Sequence, residues 1–86
     1  MKIRYHRRFI KLFGKLPAKI RDKFLERLDL FQREPFHPLL NNHAVEATYP
    51  NWRSINITGD YRALFEVAEG DLVVFMRIGT HSELYG

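Results

Sequence analysis

The sequence contains no cysteine, one tryptophan, four prolines and five glycines in 86 residues, and it has no long apolar run. Without cysteine there can be no disulfide and no Cys-type zinc site, which fits a reducing compartment such as the cytoplasm. The N-terminal stretch Met1 to Arg8 is basic, but no apolar segment follows it. It therefore reads as neither a signal peptide nor a membrane span, and no membrane partner is expected. No repeat, low-complexity stretch or linker divides the chain, so residues 1–86 are expected to form one domain. A P-loop, a Rossmann glycine pattern and a His-Glu-x-x-His zinc motif are all missing, and no cofactor or metal is expected.

A chain of this length buries only about 60–65% of its unfolded surface, which leaves it one core and little spare stability. Seven phenylalanines, four tyrosines and the tryptophan supply that core with bulk. Charge is distributed unevenly. Residues 1–43 carry eleven Lys/Arg against four Asp/Glu, whereas residues 44–86 carry three against six, and the net charge is +4. A basic N-terminal half suits a polyanion such as nucleic acid, or an acidic protein partner. A merely solvated helix face accounts for such a charge run about equally well.

Periodicity divides the chain into two halves of different character. Lys2 to His6 alternates as a short strand. Arg7 to Leu16 carries a stripe of Phe9, Ile10, Leu12, Phe13 and Leu16, with Arg8, Lys11 and Lys15 outside it. Pro17 opens a second helix that buries Ile20, Phe24, Leu28 and Phe31. That helix must end near Glu34, because Pro35 and Pro38 disfavour helix before them. Trp52 to Ile57 alternates as a strand, with Ser54 and Asn56 on one face and Ile55 and Ile57 on the other. Thr58-Gly59-Asp60 connects it to a strand from Tyr61 to Val67, and Glu69-Gly70-Asp71 turns the chain into an apolar strand from Leu72 to Ile78. The expectation is an α+β domain: a small antiparallel β-sheet, order of elements β-α-α-β-β-β, with the two N-terminal helices packed on one face. The opposite face is expected to stand open for a partner.

The polar residues that stand apart are His37, His43, Arg53, Asp60, Arg62, Arg77, His81 and Tyr85. Most fall at strand ends or loops of the second half. This set of residue types suits RNA cleavage without metal. Attack by a 2′-hydroxyl on its own phosphate needs a base, an acid for the departing 5′-oxygen, and cations around a phosphorane that gains charge. Histidine serves either proton role, arginine presents a fork to phosphate, and tyrosine stacks on a base or donates a proton. Each residue also has a plainer reading. His37 and His43 sit in loops, Asp60 follows a hairpin glycine, Arg53 and Arg62 have Glu66 or Asp60 within reach as surface partners, and Tyr85 suits a terminal anchor.

Together the motifs His43-x-Val45, Trp52-Arg53, Asp60-Tyr61-Arg62 and Arg77-Ile78-Gly79-Thr80-His81-x-x-Leu84-Tyr85-Gly86 resemble the RelE/ParE superfamily of type II toxins and, within it, the YafQ-like mRNA interferases. The Gly-Thr-His-x-x-Leu-aromatic ending is the most specific of them. The resemblance implies a toxin that cleaves mRNA on the ribosome by metal-independent acid/base chemistry, and a cognate antitoxin that wraps and silences it. It implies His43 and His81 as the proton-transfer pair and Asp60 as a further acid/base or orienting group. Arg53, Arg62 and Arg77 would contact phosphate, and Tyr85 would stack on a base or donate a proton. Two departures stand out: Ser54 and Asn56 occupy positions where the close branch tends to carry an acid and a histidine. A ParE-like gyrase poison and a non-catalytic member that binds only antitoxin or RNA are the alternatives.

Overall fold

The computed structural model describes residues 1–86 except 46 and 48. Strand β1 (Lys2–Tyr5) leads into helices α1 (Arg7–Gly14) and α2 (Ala18–Arg33). A 3-10 turn (Pro38–Leu40) and a two-residue strand β2 (His43–Ala44) follow. Then come β3 (Trp52–Asn56), β4 (Tyr61–Val67), β5 (Leu72–Thr80) and a short helix α3 (His81–Tyr85). The strands form one sheet in the order β1-β5-β4-β3-β2. Its central strands and their antiparallel pairings are those the sequence pattern predicts, but the sheet is mixed: β1 runs parallel to β5, from Lys2 opposite Leu72 to Tyr5 opposite Phe75. A parallel neighbour requires a long crossover, and the two helices and the rest of the sheet lie between these strands in sequence. No helix among the described residues is long and apolar enough to cross a membrane.

Local chemistry sets the element boundaries. His6 caps α1, its Nδ1 accepting from the Arg8 amide at 3.1 Å. Pro17 stands at the N-cap of α2, where a missing N–H costs nothing. The β3–β4 connection closes with the Ile57 amide donating to the Tyr61 carbonyl, and the Thr58 hydroxyl accepts from the Asp60 and Tyr61 amides. Asn41 and Asn51 take left-handed backbone conformations, φ 45° and 69°, which asparagine tolerates better than most residues.

The helices cover one sheet face with an aromatic cluster. The Phe9 and Phe24 rings lie 5.3 Å apart, Phe24 meets Phe75 edge-on at 5.3 Å, and Phe31 meets Phe65 edge-on at 5.0 Å. These are the tilted and edge-to-face contacts that aromatic quadrupoles favour. Ile55, Ile57, Ala63 and Ile78 complete the cluster. A bulge makes this possible. Phe65 pairs with Phe75 but Leu64 pairs with Arg77, so Met76 is an extra residue in β5. Strand side chains alternate faces, so in a regular strand without the bulge Ile78, three residues on, would point away from Phe75. The bulge turns Ile78 back into the core and sends Arg77 to the far face.

The far face is less open than the sequence implies. The Gly-Thr-His-x-x-Leu-aromatic motif that follows β5 forms helix α3, an element the sequence pattern does not predict, begun by a capping box: the Thr80 hydroxyl accepts from the Glu83 amide at 3.2 Å, and the Glu83 carboxylate accepts from the Thr80 amide at 2.7 Å. Gly79 leaves room for this contact, since a Cβ would lie 3.1 Å from the Glu83 carboxylate oxygen and press on it. Leu84 on α3 is buried, as are Ser54 and Leu64, which alternate with the core-facing residues of β3 and β4. The Tyr49 hydroxyl pins α3 by donating to the Leu84 carbonyl at 2.8 Å. Part of the sheet face that periodicity leaves bare is thus covered by the chain's own last turn.

Candidate functional site

Beside α3 lies a depression of about 280 Å³, lined by His43, Ser54, Arg62, His81 and Tyr85 together with Ala44, Val45 and Ala47. Distant stretches of sequence therefore meet at one place. Sheet pairing explains how. His43 on β2 pairs with Ser54 on β3, Asn56 on β3 pairs with Arg62 on β4, and Arg62 pairs with Gly79, two residues before His81. Moving across neighbouring strands at this end of the sheet connects all of them.

His43 is exposed, and its Nδ1 lies 2.7 Å from the Asn41 carbonyl. A carbonyl only accepts, so Nδ1 carries the proton and Nε2 is the free nitrogen of the neutral ring. The left-handed backbone of Asn41 places that carbonyl. His81 begins α3 and Tyr85 follows one turn later, so their rings face each other at 4.7 Å. Burial holds the Tyr85 phenol above the usual tyrosine value; Tyr49 adds to this, while Ser54 and Arg62 oppose it. Tyr85 is therefore a neutral hydroxyl at neutral pH. Arg62 is fixed by its Nη1, which donates to the carbonyls of Thr58 at 3.0 Å and Tyr61 at 3.1 Å. Its remaining N–H groups are left for another partner.

Ser54 is 1% exposed and, among the described residues, its Oγ has no partner within hydrogen-bonding geometry. It lies beside the Tyr85 hydroxyl, where a hydrogen-bonding contact with Ser54 lowers the Tyr85 value against the effect of burial, but the contact is too poorly formed to satisfy the Ser54 Oγ. Asn56 Oδ1, on the same strand face, is likewise buried and unpartnered. Buried polar atoms are nearly always satisfied, so two such atoms on one face make that face a candidate site.

Not every sequence candidate lies here. Arg53 shares the parity of Ile55; its Nε donates to Asn42 Oδ1 at 2.8 Å and its guanidinium stacks over Phe36 at 5.5 Å, so it braces the segment that leads into His43. Asp60 is exposed and does not line the depression; its backbone carbonyl accepts from the His81 amide at 3.1 Å, which ties the β3–β4 hairpin to the start of α3. Arg77 lies over Trp52 at 5.4 Å and lines a different cleft. His37 caps the 3-10 turn through Nδ1, as its loop position implies. Sequence reasoning missed Tyr49. Its ring stacks flat on Trp52 at 4.7 Å and meets Tyr85 edge-on at 6.2 Å. Its place before Pro50 gave a turn signal only. Among the described residues no group of three His, Asp or Glu side chains is arranged to hold a metal ion.

A mixed sheet with two N-terminal helices on one side and a histidine–arginine–tyrosine depression on the other defines a compact toxin-like fold. The sequence matches the profile of the ParE toxin of type II toxin-antitoxin systems over residues 3–85, and the chain belongs to this family, within the ParE/RelE superfamily. Among solved structures, YafQ from E. coli strain BL21(DE3) superposes with a TM-score of 0.82 at 19% identity, covering 99% of this chain and 98% of that one. The YoeB/ParE toxin from Agrobacterium tumefaciens gives 0.77 at 16% identity, covering 94% and 99%. YafQ within the E. coli DinJ-YafQ complex gives 0.72 at 21% identity, covering 99% and 98%. At these identities the likeness speaks for the fold. No curated protein matches the sequence.

Proposed function

We propose that this toxin is an mRNA interferase: an endoribonuclease that cleaves mRNA on the ribosome, held in check by a cognate antitoxin. The observation that carries this reading is the convergence of His43, Arg62, His81 and Tyr85 on one depression. These are the groups a 2′-hydroxyl attack requires. His43 Nε2, free because Nδ1 is committed to Asn41, takes the proton from the 2′-hydroxyl as its oxygen attacks phosphorus. Arg62 meets the negative charge that builds on the phosphorane oxygens. His81, in its protonated form, gives a proton to the departing 5′-oxygen. The P–O5′ bond breaks, leaving a 2′,3′-cyclic phosphate and a 5′-hydroxyl. Tyr85, neutral and beside His81, stacks on a base or donates a hydrogen bond at the same phosphate.

The Ser54 hydroxyl replaces the acid of the close branch. With Tyr85 kept protonated, the depression holds its acid/base chemistry on two histidines without a carboxylate among the described lining residues. The antitoxin follows from the family and from YafQ, which was crystallised as a toxin-antitoxin complex with DinJ. The test is cleavage of mRNA in a purified translation system. The parent protein should cut and His81→Ala should lose activity by about 10²–10⁴-fold, the usual worth of a positioned acid or base. Equal cleavage by parent and variant, or equal growth arrest on expression, would overturn the catalytic assignment. The ParE description of the matching family favours a second reading, a poison of DNA gyrase. It predicts DNA cleavage complexes with purified gyrase while mRNA stays intact.

A further inference from the structure

On the other side of α3 from the catalytic candidates is a second cleft, about 380 Å³, between the end of α1 and the unpaired edge of β5. It exists because β1 covers β5 only as far as Phe75, leaving the strand beyond the bulge without a neighbour on that side. Arg8 reaches it from α1, Lys15 from the C-cap just after α1 and Arg77 from β5; Tyr49, Glu83 and Leu84 also line it. Arg8 and Lys15 also line an adjoining groove of about 570 Å³ with His6, Arg7 and Lys11, in which no acidic side chain takes part. Among the described residues, none of these cations forms a salt bridge. The one carboxylate in the cleft, Glu83, is occupied by the Thr80 amide.

Two further observations set this charge apart from the cations that stabilise helices or pair with carboxylates. Arg7 and Arg8 stand in the first turn of α1, which holds no acidic residue, although the helix dipole disfavours cations there. Arg77 is pulled below its ordinary value by burial first and then by the Arg8 guanidinium, so two like charges share the cleft. Like charges held together without a counter-ion are a site for an anion that arrives from outside.

The two clefts are connected. From His81 the rings run to Tyr85, then Tyr49, then Trp52, and Arg77 caps Trp52, with successive separations of 4.7, 6.2, 4.7 and 5.4 Å. A single helix, about 10 Å across, separates them, a span within reach of a short single-stranded segment. Such a strip of aromatic rings beside fixed cations is the usual surface for single-stranded nucleic acid.

We propose that the cleft between α1 and α3 is a second phosphate subsite, where Arg8, Lys15 and Arg77 hold a backbone phosphate of the RNA whose scissile phosphate lies beside His43 and His81. The proposal rests on the RNA-cleaving reading above. It makes the basic half of the chain part of the substrate track and gives the RNA a direction across α3.

The test uses the full chain and a single-stranded RNA about six nucleotides long, protected from cleavage by 2′-deoxy sugars, with a protected dinucleotide as the short comparator. The double variant Arg8→Gln/Lys15→Gln changes two exposed side chains, and its melting curve reports whether the fold is kept. The longer RNA should bind the variant about tenfold or more weakly, and the dependence of log affinity on log salt should flatten by about 0.7 for each phosphate that the variant no longer neutralises. The dinucleotide, too short to span α3, should change far less. Unchanged affinity for the longer RNA would overturn the subsite and leave the surface to an acidic protein partner. Equal weakening for both lengths would also overturn it, reducing the cations to a general field. If the parent protein binds neither RNA, the subsite is overturned, whereas the RNA-cleaving reading falls only if the parent also fails to cut mRNA in the translation system.

Discussion

On the helix-covered face of the sheet, Phe65, Phe75 and Ile78 are at most 2% exposed and sit in one apolar cluster with Phe9, Phe24 and Phe31. On the other face, Ser54 is as deeply buried, yet among the described residues its hydroxyl has no well-formed hydrogen bond, and neither has the Asn56 side-chain oxygen. The same strands thus carry a face whose interactions are complete and a face whose interactions are not. That contrast points to where function lies. An apolar face is finished when its area is buried, whereas unpaired polar atoms cost free energy unless something else engages them. A chain of 86 residues has little stability to spare for such atoms, and they lie on the face that carries the proposed site of His43, His81 and Tyr85.

The sharpest way to separate the two faces is to damage each and read both stability and activity. Phe75→Ala, at the centre of the aromatic cluster, should destabilise the fold by about 3–5 kcal/mol in urea unfolding. That is enough to unfold much of a domain this small, with activity lost only through the fold. His43→Ala should do the reverse: cleavage falls by about 10²–10⁴-fold while the unfolding midpoint stays within experimental scatter, because the ring is exposed. If His43→Ala unfolds the protein, the two faces are not independent.

Thr80→Ala tests the junction between them. It removes one half of the capping box, and should cost about 1 kcal/mol and loosen α3. Cleavage should fall with it, since His81 and Tyr85 both ride on that helix; full activity with a weakened helix would detach the site from α3. The smallest effect is expected from Ser54→Ala. Deleting an unpaired buried hydroxyl should leave stability unchanged or raise it by up to about 1 kcal/mol, while binding of protected RNA weakens. A clear drop in stability would mean that Ser54 has a structural partner after all.

Proton titration offers a finer comparison. Tyr5 and Tyr85, on opposite faces, are both raised above the ordinary tyrosine value by burial. Raised phenols favour the folded state below the unfolded tyrosine pKa, about 10, and that contribution is lost as pH climbs through the folded values. Phenolate absorbance should therefore show late-titrating groups in the folded protein, and Tyr85→Phe should remove one of them. Only the Tyr85 change should also alter RNA binding.

Much of this arrangement is legible in the sequence. The aromatic stripe of Phe24 and Phe31, the alternation through Ser54, Ile55, Asn56 and Ile57, and the glycine turns at Gly59 and Gly70 mark the helices and central strands, because each depends on near neighbours. The capping signal Thr80-x-x-Glu83 is present too, but it lies behind an apolar strand and reads as a decorated chain end. His43, His81 and Tyr85 stand out as residue types, and the family resemblance places them together. Arg53, Asp60 and Arg77 cannot be sorted from Arg62 in this way, since all four are polar groups at strand ends. Which of them line the depression depends on strand parity and on the single extra residue at Met76.

Residue order alone was enough for the elements, the segregation of charge to the first half, and the identity of the groups available for chemistry. Periodicity, turn residues and caps act over a few positions and leave a local record. Packing across the whole chain was needed to make β1 pair in parallel with β5, to let the bulge send Arg77 to the far face, and to fold α3 back so that it divides the histidine-lined depression from the basic cleft. Those outcomes come from seating Ile78 against Phe75 and Leu84 against the sheet. They are fixed by which surfaces fit together over long separations in sequence, and no short stretch of residues carries that information.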